Sequence, residues 1–244
     1  GLARYYVDAL VAFQPHGPVM LGGWSAGAIV ALEMAQILKS QGRVVEFLVV
    51  LDGILYNTGA EITPWNPLYY WKLAGNLPRW ISDNIASGWG FSGVYKRIKR
   101  ELKLNLQALT GKKAQRGATV DAFMDTTILP AEQAAFARGL FAALEDYIPQ
   151  PYEGRVLIYA AKTQPLFHLL QVDVAWSKIA PRIETLYLEG THLAMVREPQ
   201  VSILAAHFRA QLDKAAQEIG WPQKNTVVAS GMTALNYPPV GSGA

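Results

Sequence analysis

The sequence predicts an α/β fold with a mainly parallel sheet and helices on its faces. Three observations carry this. A strand, a helix and a second strand follow one another near the start of the chain, the grammar of a parallel βαβ unit. The second of those strands is almost wholly apolar and β-branched, as a strand buried on both faces must be. The same alternation returns near the end of the sequence.

Residues 2–13 place Leu2, Tyr6, Ala9, Leu10 and Phe13 at helical spacing. Gln14-Pro15-His16-Gly17-Pro18 breaks that helix. Val19-Met20-Leu21 then forms a short strand running into Gly22 and Gly23. Ala26 to Ser40 reads as a helix with a wide apolar face, stopped near Gly42. Val44 to Leu51 is the buried strand, ended by Asp52-Gly53. Later, Arg155 to Ala161 and Ile183 to Leu188 read as strands, and Pro199 to about Gln217 as a helix with proline in its first turn.

The middle of the chain differs. Residues 54–148 show no convincing buried strand. Trp65, Tyr69, Tyr70, Trp71, Trp80, Trp89 and Phe91 crowd its first half. Lys96, Arg97, Lys99, Arg100, Lys103, Lys112, Lys113 and Arg116 follow, against the single acid Glu101. Pro130 to Tyr147 is an amphipathic helix. The expected organisation is a core segment over 1–53, a helical lid insertion over 54–148, a second core segment over 149–219 and a flexible tail or linker over 220–244.

The 244 residues suffice for one α/β domain, and 51% of them are hydrophobic. No apolar run reaches the ~18 residues that a membrane helix needs. The first residues lack the basic start and apolar core of a secretory signal. The absence of cysteine excludes disulfides, thiolate metal sites and a cysteine nucleophile, and fits a cytoplasmic location. A net charge of +3 is too mild to point to nucleic acid.

The chemistry is concentrated in Gly23-Trp24-Ser25-Ala26-Gly27, a Gly-x-Ser-x-Gly run with a strand before it and a helix after it. That context makes Ser25 the expected nucleophile of an α/β-hydrolase-type enzyme. Flanking glycines are expected because the turn is tight. The Ala26 amide, at the positive end of the following helix, is the expected oxyanion-hole donor. A serine hydroxyl needs a base. Of four histidines, His16 lies ahead of Ser25 in a turn, His168 follows Leu166-Phe167, and His207 lies inside the last helix. His192 follows a strand in Glu189-Gly190-Thr191-His192 and is the expected base. For the acid, Asp52 and Asp173 remain open: each follows a strand.

These residues also carry a resemblance. Gln14 to Pro18 leading into Leu21-Gly22-Gly23-Trp24-Ser25-Ala26-Gly27, then Ala31-Leu32-Glu33-Met34-Ala35 and Leu48 to Gly53, resemble the thioesterase domains of polyketide and non-ribosomal peptide synthetases. Tyr147 to Val156, Asp173 to Trp176, and Gly190-Thr191-His192 with Glu198-Pro199 fit the same pattern. The resemblance covers roughly 2–55 and 145–215, and leaves the stretch between them undiagnosed. It implies Asp52, 27 residues after Ser25, as the acid, with Asp173 structural.

It further implies that Ser25 accepts an acyl or peptidyl chain from the phosphopantetheine thioester of a carrier protein, with no cofactor or metal bound by the domain itself. Release would follow by hydrolysis or cyclisation. Ala28 stands where relatives often have another glycine. Relatives also have sheet strands, and a loop with a second oxyanion amide, ahead of the helix at Leu2. The resemblance therefore implies that the N-terminal strands are missing and that the sequence is a piece of a longer protein. Two other readings use the same residues: a stand-alone esterase or editing thioesterase, and a silent fragment or interaction module that keeps only the fold.

Overall fold

The computed structural model describes residues 1–60, 66–86, 88, 90–109, 120, 129–167, 169 and 171–218. Trp65, Trp89, Lys112, Lys113, Arg116, His168 and the tail from 220 onward lie outside the described residues. The chain divides into two compact units, Gly1–Ala205 and Ala206–Ala244. Among the described residues no helix is long and apolar enough to cross a membrane.

The first unit opens with helix α1 (Leu2–Phe13), strand β1 (Val19–Trp24), helix α2 (Ala26–Ser40) and strand β2 (Val45–Leu51). Among the described residues, helices α3 (Pro67–Ala86), α4 (Phe91–Leu109) and α5 (Ala131–Glu145) follow. Strand β3 (Arg155–Thr163), the short helix α6 (Val172–Ser177) and strand β4 (Arg182–Thr191) complete the sheet. A 3-10 turn (Ala194–Val196) leads to helix α7 (Gln200–Glu218), whose later residues lie in the second unit.

The four strands lie in the order β1-β2-β3-β4, and every neighbouring pair is parallel. The expected α/β class is therefore what the chain adopts. The two central strands explain the apolar runs. Phe47 to Val50 of β2 and Val156 to Ala161 of β3 are buried without a break, because both sheet faces are covered. At the edge, β4 alternates more, with Arg182, Glu184 and Tyr187 exposed. Val7 of α1 and Ala28, Leu32, Ala35 and Leu38 of α2 pack with Leu48, Val50, Val156 and Ile158 in one core.

Two strands run past their apolar stretches. β3 continues to Thr163 and β4 to Thr191, where those two residues pair beyond a register shift at Ala161. Backbone pairing, not hydropathy, sets those ends. Because all strands are parallel, residues just beyond β1, β2, β3 and β4 lie at one sheet edge.

Between β2 and β3 the regular elements among the described residues are helices. Trp80 of α3 packs with Val94 of α4 and Leu166 beyond β3. Arg97 lies 5.7 Å above the Trp80 ring and donates to Asn84 Oδ1 at 2.8 Å. Of the aromatics there, Tyr69 and Trp80 are buried, whereas Tyr70, Trp71 and Phe91 are exposed.

The glycines flanking Ser25 are not equivalent. A Cβ on Gly23 would sit 2.1 Å from the backbone carbon and oxygen of Gly27. A Cβ on Gly27 would meet nothing within 4 Å. The expectation that tightness requires both glycines holds only for Gly23. Gly53 is similarly confined: its Cβ would lie 2.3 Å from Ala28 Cβ and 2.9 Å from the Ser25 carbonyl oxygen. The strand-end after β2 thus touches the first turn of α2.

Gly23→Ala should therefore prevent accumulation of folded protein, since the clash is with backbone and exceeds ordinary overpacking of about 1–3 kcal/mol. Gly27→Ala should fold and gain up to about 1 kcal/mol from the better helix former. Thermal unfolding of the two variants checks the asymmetry.

Candidate active site

Ser25 occupies the step between β1 and α2 with φ +56° and ψ −125°. A non-glycine residue rarely holds a positive φ, and such strain costs of order 1–3 kcal/mol unless its surroundings impose it. Here they do. The Ser25 N–H donates to the Leu51 carbonyl at 2.9 Å, and its carbonyl accepts the Ala28 N–H at 3.0 Å. The residue is thereby fixed to both β2 and α2. Ala26 opens α2, so its amide is among those an α-helix leaves without an intrahelical acceptor.

Asp52 sits just beyond β2, also left-handed, at φ +48°. Its backbone N–H donates to the Tyr159 carbonyl at 2.7 Å. Its Oδ1 accepts the Ala161 N–H at 3.0 Å, and its Oδ2 lies 2.8 Å from His192 Nδ1. Asp52 is 5% exposed and His192 8%, so the contact is largely withdrawn from solvent. An ionised carboxylate only accepts hydrogen bonds. Nδ1 is therefore the donor in this contact, which in a neutral ring leaves the lone pair on Nε2.

His192 follows β4 directly. Gly190 turns the chain there with φ +89°, and the fully buried Met195 anchors the 3-10 turn beyond. The imidazole stacks on the indole of Trp24, with ring centroids 4.9 Å apart and planes 17° apart. The residue before Ser25 thus packs against the histidine. Geometry brings Asp52 and His192 into contact and leaves Asp173 elsewhere. Asp173 lies in the first turn of α6 and accepts a hydrogen bond from the Tyr187 hydroxyl. Burial, that bond and the fields of Asp173 and Asp52 all raise the Tyr187 pKa above its usual value.

His16 is exposed in its turn, where the Arg43 guanidinium donates to the carbonyls of Gln14, Pro15 and His16. His207 lies on α7 in the second unit.

Three contributors escape sequence reasoning. Trp176, fully buried on α6, donates its indole N–H to the Gly53 carbonyl at 2.8 Å. Ala161 supplies a backbone N–H to Asp52. Trp24 supplies the stacking surface for His192. None has a local signal, since each depends on partners more than a hundred residues away. Among the described residues no group of three or more His, Cys, Asp or Glu is arranged to hold a metal ion. A serine hydroxyl at a helix N-terminus and an imidazole held by a buried carboxylate are the parts that nucleophilic acyl transfer uses.

Residues 1–60 match the family model described as "Thioesterase domain". Over 226 residues, 87% of this chain, the sequence is 44% identical to the non-reducing polyketide synthase Preu8 of Preussia isomera, covering 9% of that protein. Over 52 residues, 21% of this chain, it is 54% identical to the non-reducing polyketide synthase Dhc5 of Alternaria cinerariae, covering 2% of that protein. The chain therefore spans a small fraction of the length of these relatives. Among solved structures, the NocB thioesterase domain in covalent complex with a fluorophosphonate nocardicin G analog shares the fold with a TM-score of 0.50 at 21% identity, covering 86% of this chain and 73% of that one. The start of the chain thus matches a thioesterase domain, most of its length is similar to a stretch of a non-reducing polyketide synthase, and its parallel α/β fold is shared with a thioesterase domain of known structure.

Proposed function

We propose that this domain releases an acyl or peptidyl chain from the phosphopantetheine thioester of a carrier protein, through an acyl-enzyme on Ser25. The observation that carries the reading is the buried Asp52–His192 contact at 2.8 Å, beside a tryptophan that precedes Ser25. His192 Nε2 takes the Ser25 proton as Oγ attacks the thioester carbonyl. Asp52 stabilises the imidazolium that forms. The Ala26 amide donates to the developing oxyanion.

Collapse of the tetrahedral intermediate breaks the C–S bond, and His192 returns its proton to the departing phosphopantetheine sulfur. Water or a hydroxyl of the chain itself then attacks the acyl-enzyme, giving its proton to His192. Ser25 leaves with that proton, and the product is an acid or a ring. The cytoplasm, where carrier-bound intermediates are built, is the location that fits this reading.

The helical segment between β2 and β3 serves as the lid in this account. Its charge is distributed unevenly. Arg97 is engaged with Trp80 and Asn84, whereas Lys96, Lys99 and Lys103 are exposed at helical spacing on α4. That lysine stripe is the surface through which an acidic carrier protein would be steered.

A fluorophosphonate probe should label the wild-type chain at Ser25 and fail on Ser25→Ala. Asp52→Asn should fold yet react on the order of 10³–10⁴-fold more slowly, because it disfavours the required tautomer. A folded wild-type chain whose Ser25 stays unlabelled contradicts the enzymatic reading.

Reversal of Lys96, Lys99 and Lys103 to glutamate should slow acyl transfer from a carrier-bound thioester at low salt and leave hydrolysis of a small soluble thioester unchanged. The difference should fade as ionic strength rises, because exposed charges are screened over about 10 Å at 0.1 M salt. Equal rates with the carrier-bound thioester, before and after reversal, would remove the steering role.

A further inference from the structure

Asn76 lies on α3, in the helical segment between β2 and β3, and is only 5% exposed. Its amide clasps the backbone of one residue beyond β3. Asn76 Nδ2 donates to the Gln164 carbonyl and Oδ1 accepts the Gln164 N–H, both at 2.9 Å. This double bond pattern copies the pairing of a strand neighbour, and it fixes residue 164 in both directions. The Gln164 side chain then turns back and donates to the Ala161 carbonyl at 2.6 Å. Ala161 in turn gives its N–H to Asp52 Oδ1 at 3.0 Å, and Asp52 Oδ2 holds His192.

We propose that Asn76 and Gln164 are positioning residues that tie the seating of helix α3 to the orientation of Asp52 and, through it, of His192. This rests on the reading of Asp52 and His192 as the working carboxylate–imidazole pair. The physical reason is that each link leaves little slack. Ala161 has its carbonyl held by Gln164 and its N–H held by Asp52. Rotation of that residue's backbone breaks one bond or the other. Loss of the Asn76 clasp frees the segment three residues downstream, and buried polar groups lose partners that water does not readily replace.

A second contact reinforces the seat, since the Tyr69 hydroxyl of α3 donates to the Phe167 carbonyl at 3.2 Å. By contrast, Asn57 binds the Glu145 and Tyr147 carbonyls at 2.8 Å each and takes no part in the route to Asp52.

The test compares Asn76→Ala, Gln164→Ala, the double variant and Asn57→Ala as a control in the full chain. Two readouts are used. One is fluorophosphonate labelling of Ser25, resolved into a maximal rate and a half-saturating concentration. The other is the far-downfield proton resonance of the His192 Nδ1–H, assigned by its loss in His192→Gln.

The expected result is a fall of about tenfold in maximal labelling rate for either single variant, as small misplacements at a reacting centre produce. Half-saturation should stay unchanged. The two substitutions should combine less than additively, since they act on one chain of bonds. The resonance should shift or broaden in both variants and persist in Asn57→Ala. Gln164→Ala keeps the test alive if the more deeply buried Asn76→Ala does not fold.

An unchanged maximal rate and an unchanged resonance in a folded variant overturn the proposal, as does a change confined to half-saturation. Absence of Ser25 labelling in the wild-type chain would instead refute the underlying reading. The resonance would still report whether Asn76 and Gln164 orient His192.

Discussion

The carboxylate of Asp52 is the constraint on which the rest of the site depends. It is buried, and burial of a charge is costly unless partners surround it. Those partners come from three strands' worth of chain. Ala161 of β3 binds one oxygen, and His192 beyond β4 binds the other. The backbone N–H of Asp52 is held by Tyr159 of β3, and the next carbonyl, that of Gly53, by Trp176 of α6. The parallel sheet brings these groups together because all of its strands end at the same edge. The left-handed backbone at Asp52 turns the chain out of β2 at the place where Gly53 must pass Ala28 and Ser25.

The same packing explains why the turn at Ser25 and the turn at Asp52 form one unit. Ser25 is bonded to Leu51, the last residue of β2, and its carbonyl lies against Gly53. Trp24 carries the coupling on to His192. A change at any of these contacts is felt by all three candidate residues. Effects of substitutions here should therefore not be read as separate contributions.

Much of the fold was legible in the sequence, and for identifiable reasons. β2 and β3 are buried on both faces, so their apolar runs stood out. α1, α2, α5 and α7 have apolar faces at helical spacing. The ends of β3 and β4 were not legible, because they rest on the Thr163–Thr191 pairing. α6 is too short for periodicity to reveal. Within the site, the Gly-x-Ser-x-Gly run and the strand-then-histidine pattern are local and pointed to Ser25 and His192. The choice between Asp52 and Asp173 was not local. It depends on the register of β3 against β4 and on a backbone turn, and only the family resemblance separated the two. The Asn76–Gln164 and Trp176–Gly53 bonds span 88 and 123 residues and leave no mark on the sequence nearby.

The central claim is that Ser25 carries the chain as a covalent ester. It is tested most directly by mixing the protein with an acyl-pantetheine thioester, quenching with acid within the first turnovers and mapping the peptides by mass spectrometry. The account predicts an acyl adduct on the peptide containing Ser25, absent from Ser25→Ala and removed on longer incubation. Turnover of the thioester with no adduct on that peptide, or with the adduct retained in Ser25→Ala, would contradict it.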